Sequence, residues 1–200
     1  MTPEIEAKWL NVDHAKLREK LAKLGATQTR KLTLMTRAVF NSADGAMERR
    51  GGWARVRDEG DEITMSYKQT RNASLTGTDE ICLAVDNFAN ATAFLKQIGL
   101  KQKSWQETRR ESWILDGAEI DLDEWPWPPP FVEIEAADAP TVARVAKKLG
   151  LEMADSLSGA VDAVYAKYYD VDWAEVNSWA EIKFTKTVPK WLENKRRKKL

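Results

Sequence analysis

Charged residues set two positions apart recur in this sequence. In Glu4-Ile5-Glu6-Ala7-Lys8 an extended chain places Glu4, Glu6 and Lys8 on one face and Ile5, Ala7 and Trp9 on the other. Arg55 and Arg57 share a strand face in Trp53-Ala54-Arg55-Val56-Arg57, and Lys68 ends the next alternating run on its polar side. Two guanidiniums one strand repeat apart suit phosphate oxygens, because each planar fork donates two hydrogen bonds. Arg110 stands on one parity with Thr108 and Ser112 and, beside Arg109, extends the basic set.

An acidic set faces this basic one in composition. From Asp116 to Glu135 there are seven carboxylates (Asp116, Glu119, Asp121, Asp123, Glu124, Glu133, Glu135) and no Lys or Arg. Asp121 and Asp123 share one strand face, as do Glu133 and Glu135. Carboxylates crowded on neighbouring strands repel unless a cation lies between them. An all-oxygen set that leaves room for substrate phosphates suits Mg2+ or Mn2+. Each of these pieces, taken alone, is also what a solvated strand face or an acidic surface loop looks like. It is their combination that carries weight.

The elements that must hold these residues can be read from periodicity. Glu4–Ala7, Glu80–Leu83 and Glu133–Ala136 are each followed by an aspartate (Asp13, Asp86, Asp138), a helix-period segment and a glycine (Gly25, Gly99, Gly150). That is the grammar of strand, helix cap, about three helical turns and a turn back. Pro140 falls in a first helical turn, where its missing N–H costs little. Between these units, Ile63, Met65 and Tyr67 alternate with polar residues, and Glu119, Asp121 and Asp123 alternate with Ile120 and Leu122. Strands in hairpin order with helices packed outside predict an α+β domain on an antiparallel sheet. Residues from about 152 onward read as helical. The basic run Lys195–Lys199 reads as a frayed, solvated helix end. No Gly-, Ser- or Pro-rich linker divides the chain.

Lys+Arg and Asp+Glu both number 31, so a surface built to grip nucleic acid is disfavoured. The single cysteine, Cys82, excludes an internal disulfide and a thiolate metal cluster. His14, the only histidine, lies among Asp13, Lys16 and Arg18 and reads as a solvated helix residue. No apolar run reaches the roughly 18 residues of a membrane span, and the first residues show no apolar signal region. A cytoplasmic protein is the expectation. In Trp125-Pro126-Trp127-Pro128-Pro129-Pro130 the prolines stiffen the loop. Its tryptophans could stack on a base or organic cation, but the commoner role is to close the end of a barrel.

Taken in order, Glu4-x-Glu6-x-Lys8, Arg55-x-Arg57, Lys68, Glu80, Arg110, Asp123 and Glu133-Ile134-Glu135 resemble the CYTH domain, from Glu4 to about Tyr169. This superfamily, the triphosphate tunnel metalloenzymes, includes class IV adenylyl cyclases, thiamine triphosphatases, inorganic tripolyphosphatases and RNA triphosphatases. The resemblance implies a closed eight-stranded antiparallel β-barrel with helices outside. Residues 1–170 would form the tunnel domain, and 171–200 a helical extension of the same domain. It implies that Glu4 and Glu6 are metal-side carboxylates and Lys8 a substrate contact that helps orient the nucleophile, making these three the catalytic set. Arg55, Arg57, Lys68 and Arg110 would contact phosphate, with Glu80 the inward glutamate of the central strands. Asp123, Glu133 and Glu135 would complete the Mg2+ or Mn2+ site, with Asp121 an addition.

The sequence also departs from the pattern. Arg37-Ala38-Val39-Phe40-Asn41 stands where D-x-Y-F-D is common, Arg109 replaces a lysine, and the Trp-Pro loop replaces a short turn. The expected activity is hydrolysis of a small-molecule triphosphate. Cyclisation of ATP to cyclic AMP is the second reading, and non-catalytic binding of polyphosphate or nucleotide the third. The organic group on the substrate and homodimer formation are left open.

Overall fold

The computed structural model describes residues 2–72, 74 and 77–198, without the side chains of 2–4. In chain order the elements are β1 (Thr2–Glu4), β2 (Glu6–Leu10), α1 (His14–Lys23), β3 (Thr27–Ser42), α2 (Ala46–Arg49) and β4 (Gly52–Asp58). Then come β5 (Ile63–Thr70), β6 (Thr78–Val85), α3 (Phe88–Gln97), β7 (Leu100–Leu115), β8 (Ala118–Glu124) and β9 (Phe131–Ala136). The chain continues through α4 (Ala139–Leu149), α5 (Val161–Tyr168), α6 (Trp173–Ser178), β10 (Glu181–Ile182) and α7 (Lys190–Glu193).

The strands run in the order β1-β6-β5-β4-β3-β7-β8-β9-β2, antiparallel throughout, with β10 added parallel to β7. The sheet curls into an open half-barrel rather than the closed barrel expected from the sequence. The N-terminal segment reaches both of its ends. Thr2–Glu4 pairs with β6, Glu6–Leu10 pairs with β9, and the ladder breaks at Ile5 between them. Pro3 also brings no N–H to the β1 ladder.

Outer-face packing explains why the charged residues point inward. Ala7 and Trp9 of β2, Ile120 and Leu122 of β8, and Val132 and Ile134 of β9 are buried against Leu17 and Leu21 of α1 and Val142, Val145 and Leu149 of α4. Because strand side chains alternate, the residues between them must face the concave side. Ala38, Phe40, Ala54 and Val56 do the same against Ala91 and Leu95 of α3. This turns Arg37, Arg55 and Arg57 inward.

The helix caps largely follow the sequence. Asp13 accepts hydrogen bonds from the N–H groups of Ala15 and Lys16, and Asp138 from that of Thr141. Gly150 ends α4 at φ 71°, a left-handed conformation that favours glycine. The cap of α3 is Asn87 rather than Asp86; it accepts from Asn90 N–H at 2.8 Å. His14 is buried rather than solvated, with Nε2 2.9 Å from the Phe131 carbonyl oxygen, a partner more than a hundred residues away.

Residues beyond 152 form short helices, a single 3-10 turn and β10 rather than continuous helix. The basic tail is not a frayed end as far as Lys198. Arg196 lies over the Tyr169 ring at 5.2 Å, and Arg197 N–H donates to the Tyr168 carbonyl at 2.9 Å. Among the described residues no helix is long and apolar enough to cross a membrane.

Candidate active site

The concave side of the sheet encloses a cavity of about 830 Å³. It gathers Glu6, Lys8, Arg55, Arg57, Lys68, Glu80, Arg110, Asp121, Asp123, Glu133 and Glu135, drawn from seven strands. The side chain of Glu4 lies outside the described residues.

One wall is acidic. Register brings Lys8 opposite Glu133, Glu133 opposite Asp121, and Asp123 opposite Arg110. Lys8 Nζ donates to Glu6 Oε1 at 2.6 Å and lies 3.5 Å from Glu133 Oε2. Arg110 forks onto Asp123, with Nε to Oδ1 at 2.7 Å and Nη2 to Oδ2 at 2.6 Å, while Nη1 meets Asp121 Oδ2 at 2.5 Å. Ser112 Oγ donates to the other Asp121 oxygen at 2.5 Å.

These contacts divide the carboxylates into two kinds. Burial, then the charge of Glu133, pushes Glu6 up to about 8 against the pull of Lys8. Burial likewise pushes Asp121 up to about 7, with Asp123 and Glu119 adding and Arg110 opposing. For Glu133, burial is outweighed by Lys8, the hydrogen bond with Glu6 and Arg110, which hold it well below the carboxylate range. Lys8 and Arg110 are held above their ordinary values because these carboxylates override the effect of burial.

The other wall is basic. Arg55 Nη2 lies 3.3 Å from Glu80 Oε1, and Lys68 Nζ lies 3.5 Å from Glu80 Oε2. Arg57 Nε donates to Glu59 Oε1 at 2.8 Å, and Thr64 and Arg30 share that carboxylate.

Two inward residues have no counterpart in the sequence reading. Glu59 is the carboxylate that orients Arg57. Arg37, noted only as a departure from the family pattern, is buried in the cavity and opposes Arg57 across the β3–β4 ladder. Its alternation with buried Ala38 and Phe40 was the available signal. Trp125 lines the cavity. Trp127 turns away into an aromatic cluster with Tyr165, Trp179 and Trp191.

The donor chemistry fits a hard divalent cation. Glu6, Asp121, Asp123, Glu133 and Glu135 supply only oxygen, and Lys8 and Arg110 leave their combined charge uncompensated. Glu6 and Asp121 therefore hold protons close to neutral pH, and a cation would displace them. Among the described residues no three carboxylates are already gathered in a ligating group, because Arg110 and Lys8 stand between them.

The CYTH domain family model matches residues 2–160. A protein from Pyrococcus horikoshii OT3 superposes with a TM-score of 0.66 at 21% identity, covering 78% of this chain and 96% of its own. A candidate adenylate cyclase from Vibrio parahaemolyticus gives a TM-score of 0.70 at 13% identity, covering 82% and 98%. A Hippeastrum protein first assigned as an adenylyl cyclase, and described as having a dominant triphosphatase activity, gives 0.54 at 14% identity, covering 80% and 91%. At these identities the likeness is one of fold. No curated protein matches.

Proposed function

The chain belongs to the CYTH domain family, whose enzymes generally depend on a divalent metal, and we propose that it is a triphosphatase hydrolysing inorganic tripolyphosphate or an organic triphosphate. The observation that carries this reading is one cavity with an arginine–lysine wall facing a buried carboxylate wall. In this reading the N-terminal segment, already paired to both ends of the sheet, closes the half-barrel into a tunnel. Residues 171–200 are read as part of the same domain as 1–170, a reading supported by Trp173, Val176, Asn177 and Ile182, which line the same cavity.

Arg55, Arg57, Lys68 and Arg110 bind the phosphoryl oxygens, exchanging carboxylate partners for phosphate and keeping their forks in place. Glu6, Asp121, Asp123, Glu133 and Glu135, with Glu4, hold Mg2+ or Mn2+. When bound, the metal supplies positive charge against the phosphoryl oxygens. Water attacks the terminal phosphorus, a P–O bond forms to it, and the anhydride P–O bond breaks to release orthophosphate. Arg55, Arg57 and Arg110 offset the charge that spreads over the transferring group. Glu6, once metal binding has displaced its own proton, would take the proton of the attacking water. Lys8, hydrogen-bonded to it, sets its orientation.

Cyclisation of ATP would need a site for the base. Trp125, one of the aromatic rings lining the cavity, has the Arg37 guanidinium over it, with Cζ 4.7 Å from the ring centroid. Relatives carry both names, so product analysis decides. With Mg2+ or Mn2+, the hydrolase releases orthophosphate from tripolyphosphate, a molecule with no ribose to cyclise. Cyclic AMP and pyrophosphate as the main products from ATP, with tripolyphosphate left intact, would reverse the choice. Ligand-dependent stabilisation without any product would leave only a binder.

A further inference from the structure

The cavity is not polar throughout. Trp125, Phe131, Val161, Val176 and Ile182 line it and belong to one packed apolar cluster. Val161, Val176 and Ile182 fall outside residues 2–160, the stretch that matches the family. The C-terminal segment therefore adds an apolar part to a cavity whose strands supply charge.

Trp173, the first residue of α6, lines the cavity and is still 50% exposed. Trp173, Val176 and Asn177 stand at i, i+3 and i+4, so one face of α6 is turned to the cavity. Val176 is buried in the apolar cluster and anchors that face. Asn177 adds a polar group. Its Nδ2 donates to the Trp173 carbonyl at 2.9 Å, and its Oδ1 accepts no hydrogen bond among the described residues.

We infer that this face of α6 is the subsite for the non-phosphate part of an organic triphosphate, a planar heteroaromatic ring stacked on Trp173 with an amino group donating to Asn177 Oδ1. The inference rests on the triphosphatase reading and narrows its substrate class.

The apolar part adjoins the phosphate contacts at Arg37. That residue is level with Arg57 across the β3–β4 ladder, and its guanidinium lies over Trp125. Gln106 of β7 pairs with Arg37 on one side and with Ile182 of β10 on the other. Inorganic polyphosphate has no carbon to set against Trp173, Val176 and Ile182. A ring does, and an indole offers it a broad apolar face at little cost in side-chain entropy. Trp53 also lines the cavity, but it stands two residues before Arg55, opposite Lys68 and outside the apolar cluster.

The test is calorimetric binding in chelator, which switches off metal-dependent turnover. The ligands are ATP, CTP and thiamine triphosphate, which carry different amino-bearing rings, with ribose 5-triphosphate and tripolyphosphate as ring-free controls. The ring-bearing ligand that binds best to the intact chain should exceed ribose 5-triphosphate about tenfold, within the range of one ring stacked on an aromatic side chain. Trp173→Ala should remove that margin and leave both controls within about twofold. Trp173→Phe should keep part of it, and decides the matter if the alanine variant does not fold. Asn177→Leu should weaken the ring-bearing ligand alone, by about threefold. The subsite is overturned if no ring-bearing ligand exceeds ribose 5-triphosphate, if Trp173→Ala weakens all five alike, or if the margin survives there and is lost in Trp53→Ala. Each of those results leaves the triphosphate reading standing. Failure of the intact chain to bind any of the five, with Mg2+ as well as in chelator, would remove that reading and the subsite with it.

Discussion

Arg110 spans Asp123 with hydrogen bonds of 2.7 and 2.6 Å, and its remaining nitrogen meets Asp121 at 2.5 Å. The acidic wall thus carries an internal counter-ion, and Lys8 supplies a second between Glu6 and Glu133. Carboxylate crowding, which in the sequence pointed to a bound cation, is partly relieved by the protein itself. Its remainder is relieved by protons on Glu6 and Asp121.

Removing the Arg110 guanidinium leaves Asp121, Asp123 and Glu133 buried together, with Lys8 their one remaining ion-pair partner among the described residues and Ser112 Oγ still donating to Asp121. Arg110→Gln should lower unfolding stability by about 3–5 kcal/mol in chelator near neutral pH. Part of that loss should return on adding Mg2+ or Mn2+, which replaces the missing charge. Denaturant titration with and without metal reads both effects. A midpoint unchanged in chelator would mean that the fork contributes nothing to the fold.

The protons give a pH dependence of definite sign. Glu6 titrates near 4.5 when unfolded and at about 8 when folded, and Asp121 near 3.8 and at about 7. Between those values the folded chain binds more protons, so stability falls as pH rises. Glu133 is depressed, and its contribution is lost only as pH falls below the ordinary carboxylate value. In chelator the melting temperature should therefore fall between about pH 5 and pH 8, and Glu6→Gln should flatten that slope. A melting temperature that rises across this interval would contradict the assignment of the raised carboxyls.

Strand parity made most of this cavity legible. Glu6 and Lys8, Arg55 and Arg57, Asp121 and Asp123, and Glu133 and Glu135 obey a local rule of alternation, and the apolar residues between them find helices α1, α3 and α4 outside. What escaped depends on distant partners. His14 reads as solvated until the Phe131 carbonyl is brought to its ring, and β10 exists as a strand because β7 offers an edge. Arg37 obeys parity as well as Arg55 does. It stands where the family pattern has an aspartate, and its environment of Trp125, Thr108 and Arg57 comes from three other segments. The interruption of the ladder at Ile5 has no clear mark in the alternation of Glu4, Glu6 and Lys8.

Trp127 adopts φ 82°, a left-handed conformation unusual for a tryptophan, and sits edge-on to Tyr165, Trp179 and Trp191. The ring cluster and the Tyr169 hydroxyl, which donates to the Trp127 carbonyl at 2.9 Å, hold that strain. Trp127→Ala should cost about 3 kcal/mol, at the low end for a large aromatic because the ring is only half-buried. Trp127→Gly keeps the backbone conformation available and also loses the rings. A glycine variant that recovers more than a third of the alanine loss, measured by chemical denaturation, would show that strain rather than ring packing dominates.

Arg57 offers the cleanest separation of binding from folding. Its partner Glu59 also accepts from Thr64 at 3.1 Å and lies 3.3 Å from Arg30, so removing Arg57 does not strand a buried carboxylate. Behind Arg110, Asp123 has no second hydrogen-bond or ion-pair partner among the described residues. Arg57→Gln should therefore leave unfolding stability within about 1 kcal/mol, the scale of one exchanged hydrogen bond. If Arg57 binds charge developing on the transferring phosphoryl group, kcat/KM for tripolyphosphate should fall by about 10²–10³-fold. A loss confined to KM would mean contact with the ground state and transition state alike, and unchanged kinetics would remove Arg57 from the phosphate wall. Adding free guanidinium ion should restore part of the rate in the glutamine variant and none in the intact chain, an outcome that a purely structural role for Arg57 would not produce.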